Sequence, residues 1–118
     1  MLYDLNGQPV EPSDGQQYAH IINRESPPQT NSRDVLSVAY IGKDDAGTRK
    51  SLHTYEVTNY SGKQISQYHV FFFLASDGHQ ILGLCDCVAW RLCKHIAAAW
   101  SIHVTAETSG FIRKIQTI

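Results

Sequence analysis

Three cysteines and a histidine fall within eleven consecutive residues, Cys85-Asp86-Cys87-Val88-Ala89-Trp90-Arg91-Leu92-Cys93-Lys94-His95, and the 118-residue chain has no other cysteine. A clustered, odd-numbered set without a distant mate does not make a disulfide framework. The pattern is CxC, five residues, then CxH. In extended chain, residues two apart point the same way, so Cys85 and Cys87 can bring both sulfurs to one point. Within a regular helix two residues apart diverge by about 200°. Cys93 must therefore lie at or before a helix N-cap, with His95 in the first turn. Three soft thiolates and one imidazole suit tetrahedral zinc, one structural ion per chain. Four protein ligands leave no open position for a catalytic water. The plain alternative, three buried thiols and an unrelated histidine, does not explain why every cysteine is used in this spacing.

The rest of the chain frames that cluster. Residues 1–33 hold all four prolines and are rich in Asn, Gln, Ser and Asp. They read as a polar, loosely ordered arm with two short apolar pieces, Leu2 to Leu5 and Tyr18 to Ile22. Residues 34–118 read as a single zinc-binding domain. Val35 to Ile41 is β-branched and aromatic. Leu52 to Tyr60 alternates, with His53, Tyr55, Val57 and Asn59 on one side. Gln67 to Leu74 is a strong strand, and Asp77-Gly78 turns it back into Ile81 to Leu84. Lys94 to Thr105 is helical, with Ile96, Trp100 and Val104 as its apolar stripe and Gly110 as its stop. The expected class is α+β. A small antiparallel sheet or hairpin of three or four strands leads into a ligand loop and a C-terminal helix.

Tyr68-His69-Val70, then Cys85-Asp86-Cys87, then Cys93-Lys94-His95-Ile96-Ala97-Ala98 resembles the SWIM-type zinc finger. With Leu52 to Tyr60 included, the likeness covers roughly residues 52–105, the finger itself about 66–105. The family generally has six or more residues between the second and third cysteines, and this chain has five. The resemblance implies a ββα finger with Cys85, Cys87, Cys93 and His95 as ligands. It also implies a role in binding DNA or proteins, as in chromatin-remodelling ATPases, transposases, ubiquitin ligases and recombination accessory proteins.

Charge adds a mild asymmetry. Residues 1–34 carry two basic and five acidic side chains, residues 85–118 four basic and two acidic. A basic C-terminal third suits an anionic partner. Arg91, Lys94, Arg113 and Lys114 are candidate phosphate contacts, and Trp90 is a candidate stacking platform for a base. The expectation is a nucleic-acid-binding module, DNA before RNA, accessory to a DNA-processing complex. A protein-interaction module is the alternative, with aromatics from Tyr68 to Phe73 as its contact face and the arm ordering on a partner. An enzyme is not expected. There is no phosphate-binding glycine loop, and the spacing differs from that of Cys₃His iron–sulfur sites. His103 reads as an ordinary surface or half-buried residue. The longest apolar run, Val70 to Ala75, is far short of the roughly 20 residues of a membrane span. The first residues lack the basic and apolar regions of a signal peptide, so the expected location is intracellular, cytoplasmic or nuclear.

Overall fold

The computed structural model describes residues 2–4, 7–11, 18–29, 35–44, 52–87, 93–112 and 115. Seven strands precede one helix: β1 (Leu2–Tyr3), β2 (Pro9–Val10), β3 (Ala19–Ile22), β4 (Val35–Asp44), β5 (Leu52–Ser61), β6 (Gln64–Leu74), β7 (Ile81–Cys85) and α1 (Lys94–Thr108). The strands form one antiparallel sheet in the order β2-β1-β3-β7-β6-β5-β4. The class is α+β as expected, but the sheet is much larger than a hairpin. The difference arises within residues 1–33. The piece from Tyr18 to Ile22 supplies β3 along β7, with Ile21 opposite Leu82 and Ile22 opposite Ile81, and β1 and β2 add on beyond β3. The open edge of β7 supplies the backbone partners that a polar segment cannot find within itself.

Alternation decides which residues meet the helix. His53, Tyr55, Val57 and Asn59 are buried along β5, in the period-2 pattern of its sequence. Val70 and Phe72 on β6 lie on the same face, opposite Tyr55 and His53. They join Ile22, Ile81, Cys85, Ile96, Ala99 and Trp100 in one core beneath α1. The other face gathers a second core of Tyr3, Ala19, Phe73, Leu82 and Leu84. Phe72 and Phe73 are thus fully buried on opposite faces, so the run from Tyr68 to Phe73 is not an exposed contact surface. Gly83 lets α1 sit close. A Cβ there would come within 2.9 Å of Ile22 Cδ1 and 3.3 Å of Ile96 Cγ2.

The helix starts and stops where the sequence signals it. Cys93 is the N-cap with extended backbone angles, and its carbonyl accepts from Ala97 N–H at 3.1 Å. Gly110, at φ 79°, takes the left-handed position after the end. Its N–H donates to the Glu107 carbonyl at 3.1 Å, and Phe111 N–H to the Ala106 carbonyl at 2.9 Å, closing a Schellman motif. The buried stripe runs Ile96, Trp100, His103 rather than Ile96, Trp100, Val104. Steps of four and then three keep to one face at 3.6 residues per turn, whereas repeated steps of four drift off it. Val104 therefore turns outward, and His103 is fully buried, not a surface residue. Among the described residues, no helix is long and apolar enough to cross a membrane.

Candidate metal centre

β7 ends at Cys85 with its side chain under α1, and Cys87 follows two residues on. The chain returns through residues 88–92, which lie outside the described set, to place Cys93 at the cap and His95 in the first turn. The four ligand atoms of Cys85, Cys87, Cys93 and His95 lie within 4.8 Å of one another. His95 Nδ1 stands 3.6 Å from Cys85 Sγ and 3.7 Å from Cys93 Sγ. Zinc bonded to sulfur at about 2.3 Å and to nitrogen at about 2.05 Å with tetrahedral angles sets S···N edges of about 3.6 Å. The donor spacing therefore fits a zinc-sized ion, bound through Nδ1.

Electrostatics favour the same occupant. The hydrogen bond from the Cys85 thiol, outweighing burial, lowers Cys93 to a pKa of about 4, helped by His95 and the Ile96 N–H at the helix start. The same thiol pairing, with burial, pushes Cys85 up. A cluster in which Cys93 ionises easily and Cys85 resists ionisation is completed by a divalent cation, which displaces the remaining thiol protons.

Two supports around the ligands were not singled out by ligand spacing. Tyr68 on β6 stacks on the His95 ring, centroids 4.1 Å apart and planes 28° from parallel. Asp86, between the first two cysteines, clips the knuckle to β6. Its Oδ1 accepts from His69 N–H at 2.9 Å, its Oδ2 is 3.2 Å from His69 Nδ1, and its own N–H donates to the His69 carbonyl at 3.2 Å. Such outer contacts fix ligand orientation. An acidic residue inside a CxC was the available signal for Asp86, and a strand aromatic two before Val70 for Tyr68.

Of the candidate nucleic-acid contacts, Lys94 is the half-buried first residue of α1, beside two ligands. Trp90, Arg91, Arg113 and Lys114 lie outside the described residues. Comparison with protein-family models, with curated proteins and with solved structures finds no match to this chain.

Proposed function

We propose that the chain is a structural-zinc binding module, intracellular and non-enzymatic, that engages nucleic acid as an accessory to a DNA-processing complex. The observation that carries the metal reading is the convergence of three sulfurs and a His95 ring nitrogen within 4.8 Å of one another, with Nδ1 at zinc-tetrahedron spacing from Cys85 and Cys93 Sγ. The zinc would be held by Cys85, Cys87, Cys93 and His95, and would supply cross-linking of β7 to α1 rather than reactivity, since all four positions are filled by protein. In this reading β6, β7 and α1 form a SWIM-type ββα finger set within a wider sheet. Cys93 at the N-cap and His95 in the first turn match what the CxH spacing requires. Lys94 brings a cation to the finger's helix start, and Arg91, Trp90, Arg113 and Lys114 extend the basic, base-stacking edge in the sequence.

The test is fluorescence anisotropy of labelled single- and double-stranded DNA and RNA, titrated with zinc-loaded protein at low and near-physiological salt. The expected result is binding that weakens steeply with salt and is lost in Arg91→Ala/Lys94→Ala. No binding at low salt would remove the nucleic-acid reading.

A protein partner is the second reading, and one observation favours it. Val35, Tyr60 and Ile65 face one another across β4, β5 and β6 in register. They are 66%, 42% and 65% exposed. Three directly opposed apolar side chains make a continuous outward row of the kind that meets another protein. A pull-down that depends on Tyr60 and Ile65, from protein that ignores nucleic acid, would establish it.

A further inference from the structure

Away from the metal centre, one carboxylate ties three separate segments together. Glu107, in the last turn of α1, has a side chain 5% exposed. Its Oε1 accepts from Arg24 Nη1 at 2.8 Å and its Oε2 from Arg24 Nη2 at 3.0 Å. The same Oε2 accepts the Ile115 N–H at 2.8 Å and lies 3.3 Å from His103 Nε2. Arg24 also donates to the Ile115 carbonyl at 3.3 Å, and its guanidinium lies 5.2 Å over the Trp100 ring. Just past Arg24, Pro27, Pro28 and Gln29 form one wall of a groove of about 610 Å³, whose other wall is the Ala97, Ala98 and Ser101 face of α1. The Arg24–Glu107 pair is the tether between those walls.

Behind the tether sits a buried, titratable layer. His103 Nδ1 is 2.6 Å from the Tyr55 hydroxyl on β5. The His103 ring stacks on Trp100 at 5.3 Å and meets His53 edge-on at 5.0 Å. Tyr40 on β4 reaches His53 Nδ1 at 3.1 Å and packs on Tyr55. The titratable and charged groups facing His103 and Glu107 among the described residues are therefore Arg24, Tyr55, His53 and, through Tyr55, Tyr40.

We propose that Arg24, Glu107 and His103 form an acid-released clasp that holds residues 24–29 and Ile115 against α1 and sets the width of the groove. Glu107 Oε2 already accepts two hydrogen bonds, so it has no further well-aligned lone pair for a charged His103. A proton on His103 places a cation in a dry layer that already faces the Arg24 guanidinium. A proton on Glu107 removes the counter-ion of Arg24. Either event loosens the same tether.

The titration directions agree with this geometry. Burial is the main cause that lowers His103 from its ordinary 6.5, with Arg24 adding to it and Glu107 opposing. Burial would raise Glu107, but the Arg24 hydrogen bonds, the Ile115 N–H and His103 together hold it below its ordinary 4.5. Both groups bind protons more weakly folded than unfolded. Their stabilisation is present above those ordinary values and is lost as pH falls through the depressed folded ones. The clasp is closed at neutral pH and opens on acidification.

The test uses the zinc-loaded full chain and NMR from pH 8 down to the pH at which the metal centre itself is lost, following the Ile115 amide and the Trp100 indole. Cadmium NMR of a cadmium-loaded sample reports in parallel that the metal centre stays intact. The expected result is that both signals move together toward their open positions as pH falls. In Arg24→Gln and Glu107→Gln they start at those positions at pH 8, with the cadmium signal unchanged. His103→Gln lowers the pH at which the two signals begin to move, since it removes one of the two proton acceptors of the clasp. Arg24→Gln keeps the outcome readable should Glu107→Gln fail to fold. Ile115 and Trp100 signals that stay fixed over this range, or that titrate in Arg24→Gln as in the unaltered chain, would overturn the proposal. So would movement that occurs only together with loss of the cadmium signal.

Discussion

The two ends of α1 are secured in opposite ways. At its first turn, Cys93 and His95 join Cys85 and Cys87, a set spanning eleven residues of sequence and carrying more anionic ligand than it can neutralise. At its last turns, His103 and Glu107 meet Arg24, Tyr55 and Ile115, drawn from both ends and the middle of the chain. That cluster balances its own charge. The first arrangement needs an imported cation, while the second needs only the fold. On the two proposals above, metal supply governs one end of the helix and proton concentration the other.

The largest way to break the comparison is to remove the metal. Structural zinc in small fingers supplies about 10–16 kcal/mol of apparent binding energy, comparable to or above the 5–15 kcal/mol that holds most domains together. Stripping zinc with a chelator, or making Cys87→Ser or His95→Ala, is expected to abolish cooperative melting of α1 by circular dichroism. Atomic absorption should show one zinc per chain falling to none. Native stability in any of these with chelator present would show that the cluster is not structural.

A smaller effect is expected at the other end. Glu107→Ala leaves the Ile115 N–H without its acceptor and the Arg24 guanidinium without its counter-ion, with only the Ile115 carbonyl still accepting from it, a loss of about 3 kcal/mol in urea unfolding with the metal still bound. Arg24→Ala/Glu107→Ala should recover part of that, because no unpaired buried charge remains. If the single variant also lost zinc, the two ends would not be independent.

The smallest effect sharpens the metal end. Asp86→Ala removes both His69 contacts but no ligand, so zinc affinity by competition with a chromophoric chelator should fall about tenfold while the melt stays cooperative. Unchanged affinity would mean that the knuckle is held by β6 backbone alone.

The same contrast explains what could be read in advance. The metal centre was legible because its geometry is local. Strand spacing aligns Cys85 with Cys87, and helix geometry forces Cys93 to the cap. The alternation of β5 sorted its residues onto two faces, and the structure buries the one that holds His53. The clasp was not legible, because no local rule links Arg24 to Glu107 or Tyr55 to His103. His103 read as a surface or half-buried residue, and the helix stripe, extended by fours to Val104, passed it by, when the packed face steps by four and then by three. The width of the sheet was missed for another reason. Two-residue strands such as Leu2–Tyr3 and Pro9–Val10 are too short to show a period, and only pairing with each other and with β3 makes them strands.

The place of β7 in the sheet also has a consequence for how the chain assembles. β4, β5 and β6 are neighbours in sequence and in space, so they zip together through short loops. β3 pairs with β7 across about 60 residues of chain. On an emerging polypeptide the first three strands therefore wait for the hairpin from Leu74 to Ile81 to be made. Until they dock, β7 presents an open, wholly apolar border. The N-terminal segment then acts as the cover that closes this border, and a chain lacking it should clump during synthesis.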